Sequence, residues 1–204
     1  EKASPEYFNI ASEFIMEKEV GKGRVGLKGG QWKSYSDVGQ PAIGPGLSTS
    51  FLPDEYRGTQ VGGFVPEDVV SEAYKGRLTG IDESLIKEFG GKYSGLSPHQ
   101  RASTMSLIYN VGMGGFRSGG KTEEFMKENP AYRSKAYQAL KGGDLESFAK
   151  ESFDPKTGFV VSGGKVMQGL QNRRAAEREL FMTKKDPTDI AMRTMQGLNK
   201  DYFS

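Results

Sequence analysis

No cysteine occurs in the chain, and histidine and tryptophan occur once each, as His99 and Trp32. The first absence excludes disulfide scaffolds, thiolate metal sites and every cysteine-nucleophile mechanism. It leaves the redox compartment open, because a chain without thiols tolerates either side of a membrane. A single imidazole excludes histidine-rich metal sites and leaves a Ser-His-Asp triad only His99, which sits in the first turn of an expected helix and is predicted to face solvent. Long apolar runs are also lacking. None approaches the roughly 20 residues that span a bilayer, and the opening EKASPEYF has neither a basic nor an apolar leader region. The expectation is a soluble chain which, starting with Glu rather than Met, is processed or cut from something longer. An excess of one charge is missing too: 28 Lys and Arg stand against 26 Asp and Glu. Bulk charge therefore gives no support to nucleic-acid binding.

What is present suits one domain, bilobal at most, with a sizeable core: 204 residues, 35% of them hydrophobic, which argues against wholesale disorder. The stretch SPEYFNIASEFIMEKEV reads as a helix, with Ser4 as cap, Pro5 in the first turn, Phe8, Ala11, Phe14 and Ile15 at helical spacing, and Gly21 as the stop. Residues 20–34 hold five glycines, four basic residues, no acid and Trp32, with Val25 and Leu27 alternating before Gly29-Gly30. They read as a hairpin or a cationic loop. With Tyr35, an Asp37 turn and an Ala42-Ile43 strand, a small antiparallel sheet over 24–50 follows. From Pro66 on, Pro starts and Gly stops mark seven helices, at 66–78, 82–89, 98–110, 130–141, 145–152, 167–183 and 187–196. Ser97-Pro98-His99-Gln100 forms a capping box for the third of these. The fold class is α+β, mainly α, with a β lobe at about 20–60 and a helical lobe at about 80–183 joined by the N-terminal helix.

Two glycine motifs carry a phosphate-binding reading. GFRSGGKT, Gly115 to Thr122, matches the pattern G-x-x-x-x-G-K-[ST], with Ser106 to Val111 available as the preceding strand. The second apolar strand ending in Asp, and the other runs of a doubly wound sheet, are missing, so an interhelical loop competes with an NTPase. Gly21, Gly23 and Gly26 spell G-x-G-x-x-G but follow a helix rather than a strand, which sets that motif aside.

Carboxylate chemistry remains. Glu19 ends an apolar-faced helix, where the helix dipole and partial burial both favour the protonated form that a general acid needs, and Asp37 lies in the adjoining hairpin. Generic surface acids would read the same way.

Three segments then give a resemblance. EFIMEKEV followed by YSDVGQPAIGPG resembles a helix-ending Glu, a Tyr-x-Asp and a Thr-Ile-Gly-x-Gly strand. LSPHQRASTMSLIYNVGMGGF is similar to a helix running into Asn-x-Gly-x-Gly-x-Phe, and GGKVMQGLQNRRAAERELF is the nearest match. All three are features of the bacteriophage-type lysozymes (glycoside hydrolase family 24, T-even-phage-lysozyme-like), and together they span about residues 12–183. The resemblance implies a lysozyme-like bilobal fold over 1–183 with a helical tail at 184–204, and a muramidase (endolysin) that cuts the MurNAc-GlcNAc strand of peptidoglycan without cofactor or metal. It implies Glu19 as proton donor, Asp37 as the carboxylate opposite that activates water or stabilises the oxocarbenium-like transition state, Tyr109 and Asn110 facing the sugar, and Arg174 reaching toward the acid, where its charge opposes protonation. The implied partners are peptidoglycan glycan strands, and other virion proteins if the chain is cut from a larger one. The implied place of action is the periplasm or wall of the host bacterium, either from the virion or after release from the cytoplasm.

Two departures from the family pattern stand out. Residues 20–36 separate Glu19 from Asp37, about double the family's spacing, and Ala42 stands where the family has a threonine, one residue closer to the Asp. Three readings therefore stay open: hydrolysis, a lytic transglycosylase that uses Glu19 alone, and an inactive virion wall-binding module. The inserted stretch itself is either a solvated loop or a cationic arm, with Lys22, Arg24, Lys28 and Lys33 holding anionic wall polymer while Trp32 stacks on sugar. In the tail, Asp186-Pro187 starts a helix whose Ile190, Met192 and Met195 pack on the core or dock a partner.

Overall fold

The computed structural model describes residues 5–20, 26–37, 39–156, 158–162 and 164–183. Helix α1, Glu6–Val20, leads into a β region in which β1 (Leu27–Lys28), β2 (Gln31–Lys33) and β6 (Phe64–Pro66) form one antiparallel sheet, while β3 (Tyr35–Asp37), β4 (Gln40–Ile43) and β5 (Leu47–Ser48) form another. Gly29 and Gly30 close the first hairpin with φ of 58° and 73°, the doubly left-handed turn that a Gly-Gly pair supplies without strain. Register places Trp32 opposite Leu27 and Val65, and Val65 is fully buried. Trp32 therefore packs half-buried on the β core of Ile43, Leu47, Leu52, Val65 and Val70, and Lys28 and Lys33 fall on the opposite face. Trp32 is thus part of a hairpin seated on the β core rather than of a detached loop or arm. Lys22 and Arg24 lie outside the described residues.

The helical part follows as α2 (Glu67–Phe89), α3 (Gly91–Ser94), α4 (Pro98–Ser118), α5 (Glu123–Glu128), α6 (Lys135–Gly142), α7 (Leu145–Phe153) and α8 (Gln168–Phe181), with a hairpin of β7 (Val161–Ser162) and β8 (Lys165–Val166) before α8. The two helices expected at 66–78 and 82–89 are the single α2. The stripe Val70, Tyr74, Leu78, Ile81, Leu85 and Phe89 runs through the exposed Gly80, and the burial it gains outweighs the roughly 1 kcal/mol that a helical glycine costs. Val70 belongs to the β core and Leu78 to the helical core, so α2 spans both.

Helix α4 starts with the expected capping box and is buried on every side from Ala102 to Ile108, wrapped by α1, α2, α6 and α8. His99, on the same rod, is buried rather than turned to solvent, because the surrounding helices leave little of the rod open. The helix continues past the expected end at 110: Gly112 (φ 71°, ψ 158°) kinks it, and a second arm buries Phe116 among Phe89, Tyr137, Phe148 and Phe159. Residues 106–111 are therefore helix, and GFRSGGKT is a helix end capped by left-handed Gly119. A phosphate-cradling loop must leave a strand, so the NTPase reading falls. The helix expected at 130–141 begins only at Lys135, where Ser134 caps it, and α5 was not anticipated. The helix expected at 187–196 and the Ser4 cap lie outside the described residues.

One polar knot ties four helices together. Asp82 on α2 accepts hydrogen bonds from Tyr7 (2.9 Å, α1), Tyr93 (2.7 Å, α3) and Arg101 (3.0 Å, α4), and the Arg101 guanidinium lies 3.5 Å from the Tyr7 ring centroid. It anchors the start of α1, the helix whose far end carries Glu19. Among the described residues, no helix is long and apolar enough to cross a membrane.

Candidate active site

Glu19 occupies the last turn of α1 and is only 6% exposed. Its Oε1 accepts a hydrogen bond from Nη1 of Arg173 on α8. Arg173 is itself clamped: Nε donates to Glu177 Oε1 at 3.1 Å, and Nη2 to Ser106 Oγ on α4 at 3.3 Å. Ser106 Oγ donates in turn to Glu177 Oε1 at 2.7 Å. Arg174, fully buried, donates through Nη2 to Glu177 Oε1 at 3.0 Å and to Asn110 Oδ1 at 2.9 Å. Its Nε lies 2.8 Å from Glu177 Oε2, close enough for charge attraction though not aligned as a hydrogen bond. The i,i+4 and i,i+3 spacings of Arg173 and Arg174 to Glu177 bring both guanidiniums to one carboxylate. Two acids and two guanidiniums thus share a buried knot with balanced formal charge, the condition under which charges survive burial. Burial alone would push the Arg173 guanidinium down, but attraction to Glu177 and Glu19 outweighs it and holds the group above the ordinary arginine value. For Arg174 burial prevails and the shift is downward.

The arginine on the acid is therefore Arg173, where the sequence pointed to its neighbour Arg174. Consecutive helix residues point about 100° apart, so one step decides which of them meets α1. Arg174 instead joins Glu177 to Asn110. Ser106, Glu177 and Arg173 were not anticipated. The signal for Arg173 and Glu177 was the stripe Arg173/Arg174, Glu177, Phe181, in which charged residues occupy positions whose spacing marks the core side of α8.

Opposite the acid stands the turn after β4. Gly46 (φ 79°) brings its backbone so near that a Cβ there would lie 3.2 Å from Glu19 Oε2. Tyr109, on α4, donates to the Pro45 carbonyl at 3.1 Å and so ties this turn to the helical side. Burial first, then the neighbouring Tyr74 and Glu19, raise the Tyr109 phenol well above its ordinary value, which keeps its proton available for that bond. Asp37 ends β3, half-buried. Glu19, Asp37, Gly46, Tyr109 and Asn110 line one cavity of about 1010 Å³ between the β region and the helices, at the upper end of ordinary ligand pockets. Its far wall includes Lys121, Tyr132, Lys135, Phe159 and Met167. Ala42, buried within β4 and paired with Tyr35 and Ser48, brings no hydroxyl to this region. Among the described residues, no group of three or more His, Cys, Asp or Glu side chains is placed to hold a metal ion.

Solved structures share the fold. The active form of the P1 phage endolysin Lyz matches with a TM-score of 0.60 at 16% identity, covering 95% of this chain and 86% of that one. The muramidase domain of SpmX from Asticaccaulis excentricus matches at 0.55 and 20% identity, covering 85% and 95%. The endolysin of Escherichia coli O157:H7 phage FAHEc1 matches at 0.56 and 16%, covering 92% and 97%. In sequence, an endolysin of Bacillus phage PZA is 31% identical over 115 residues, 56% of this chain and 34% of that protein, so the match spans about a third of that relative's length. The family model for phage lysozymes matches residues 26–177, which include Asp37, Tyr109, Asn110 and the Arg173, Arg174 and Glu177 knot, while Glu19 lies ahead of the matched stretch. Matched over most of its length and built on the same fold, the chain belongs to the phage lysozyme family.

Proposed function

We propose that the protein cleaves the glycan strand of bacterial peptidoglycan between MurNAc and GlcNAc, with Glu19 as general acid and Asp37 as the second carboxylate. The observation that carries the proposal is the convergence of both carboxylates on one interlobe cavity, with the Glu19 side held by a buried arginine. The names of its relatives, endolysin and muramidase, point to the same chemistry. Glu19 protonates the bridging oxygen as the bond to the anomeric carbon breaks, and Asp37 stabilises the oxocarbenium-like centre or takes a proton from the attacking water. Tyr109 and Asn110 form the floor under the sugar. The chain is then a phage-encoded enzyme whose partner is the wall polymer.

A second reading is favoured by Ala42. Without a hydroxyl at that position to hold water, a hydroxyl of the substrate attacks instead and closes an anhydro ring, which makes the enzyme a lytic transglycosylase that depends on Glu19 alone.

Turbidity of a peptidoglycan suspension tests both. The wild-type chain should clear it, and Glu19→Gln should not. Clearing that survives Glu19→Gln means another residue is the acid, and no clearing by either protein indicates a wall-binding module without turnover. Mass analysis of the released muropeptides separates the two reactions, since the transglycosylase product is lighter by one water.

A further inference from the structure

Asn110 lies at the end of the buried stretch of α4, exposed, and lines the cavity. Its Oδ1 sits 2.9 Å from Nη2 of Arg174. A guanidinium carries five N–H donors and no acceptor, so only the oxygen of the amide can face it. The amide NH2 is thereby turned to the side of Cγ away from Arg174, on a side chain that is exposed and lines the cavity, and among the described residues Asn110 makes its side-chain hydrogen bond to Arg174 through oxygen. Arg174 has no room to turn away: it is fully buried, shares Nη2 with Glu177 Oε1 at 3.0 Å and keeps Nε 2.8 Å from Glu177 Oε2. Glu177 is fixed in turn by Ser106 and Arg173. The polarity of the Asn110 amide is thus set by a chain of buried groups behind it.

We infer that Arg174 is a positioning residue that locks Asn110 with its amide donor toward the cleft, so that this point of the site takes an acceptor-only group of the glycan, the acetamido carbonyl. The inference rests on reading the cavity as the glycan site. A sugar hydroxyl satisfies a donor or an acceptor by turning, and gives no discrimination. A carbonyl only accepts, and the ammonium left after de-N-acetylation only donates, which would set two donors against each other. Arg174 therefore contributes to specificity without touching substrate.

Asn110→Asp separates this role from a merely structural one. Aspartate has nearly the same shape and keeps an oxygen for Arg174, so the buried network stays satisfied, but it turns an oxygen rather than NH2 into the cleft. Steady-state kinetics should be compared on N-acetylated and chemically de-N-acetylated peptidoglycan for wild type, Asn110→Asp and Asn110→Ala, with Glu19→Gln as the blank. Wild type should prefer the acetylated polymer. Asn110→Asp should melt no lower than wild type, raise KM on the acetylated polymer at least about tenfold with a smaller change in kcat, and lose the preference, since one hydrogen bond is unmade and two acceptors meet. If Asn110→Asp keeps the wild-type KM and preference while Asn110→Ala is impaired, Asn110 serves only to satisfy Arg174 and the inference is overturned alone. If wild type cleaves neither polymer, the glycan reading fails and takes this inference with it.

Discussion

Replacing Gly46 by Ala tests how the acid is seated. The position has φ of 79°, a conformation that costs an L-residue about 1–2 kcal/mol, and the added methyl carbon would stand 3.2 Å from Glu19 Oε2 and 3.5 Å from Glu19 Cδ. For a chain of this size such strain lowers Tm by roughly 2–8 °C. The second effect is local: the carboxyl must retreat by a few tenths of an ångström, and because Oε1 is held by Arg173 it can only tilt. If a misplacement of about 1 Å costs on the order of a hundredfold in rate, a shift of this size costs about tenfold. Gly58→Ala is the control, since Gly58 has φ of 75°, nothing within 4 Å of its Cβ position, and no place in the cavity lining. Both variants should lose similar Tm in a thermal melt, and only Gly46→Ala should lose kcat/KM in a clearing assay. Equal activity of the two alanine variants, at temperatures where both are folded, would refute the idea that Gly46 positions the acid.

Removing the Arg173 charge with Arg173→Met leaves Glu19 and Glu177 buried with one cation fewer, and urea denaturation should show a loss of about 3–5 kcal/mol. A loss below about 1 kcal/mol would mean the guanidinium does not offset those charges. Acid sensitivity should run through Glu88, whose carboxylate accepts from Tyr137 Oη at 2.5 Å and Arg117 Nη2 at 2.6 Å. These bonds, Tyr137 first, hold it below the ordinary glutamate value near 4.5 in the folded state. The stabilisation is therefore complete above that value and is lost as pH falls through the lower folded value, so wild type should lose more Tm than Glu88→Gln between about pH 6 and about pH 3. Parallel losses in the two proteins would remove Glu88 from the account.

The fold was legible where local chemistry and tertiary packing agree. The capping box at Ser97, the Gly29-Gly30 turn and the apolar period of α1 each specify one structure whatever surrounds them. Prediction failed where packing overrides a local signal. Gly80 reads as a stop, yet the six-residue stripe of α2 carries the helix through it. Gly112 breaks the helical dihedrals without ending α4, because Phe116 must still reach its aromatic neighbours. Among the residues that line the cavity, Glu19 and Asp37 were candidates because one ends a helix and the other lies in the next hairpin, but generic surface acids read the same way, and it was the resemblance that singled them out. Arg173 was not readable, because choosing between adjacent arginines depends on the rotation of α8 against α4, which only the core determines. Gly46 was hidden for a different reason: its role is an absent side chain, and a glycine in GPG reads simply as a turn.

The two sides of the cavity are therefore built by different physics, and perturbing them should have different consequences. On the helical side Glu19 depends on Arg173, Ser106, Glu177 and Arg174, all buried, so a change there leaves a charge or hydroxyl without compensation and lowers stability and activity together. On the β side the turn at Pro45 and Gly46 meets the acid through backbone, and Tyr109 ties it to α4 by a single hydrogen bond. A neutral hydrogen bond contributes about 1 kcal/mol, so loosening the turn costs the fold little and acts mainly on the geometry of the cleft. Glu19 belongs by sequence to α1 and by anchoring to α8. Completing the site thus requires both α1 and α8 to be in place.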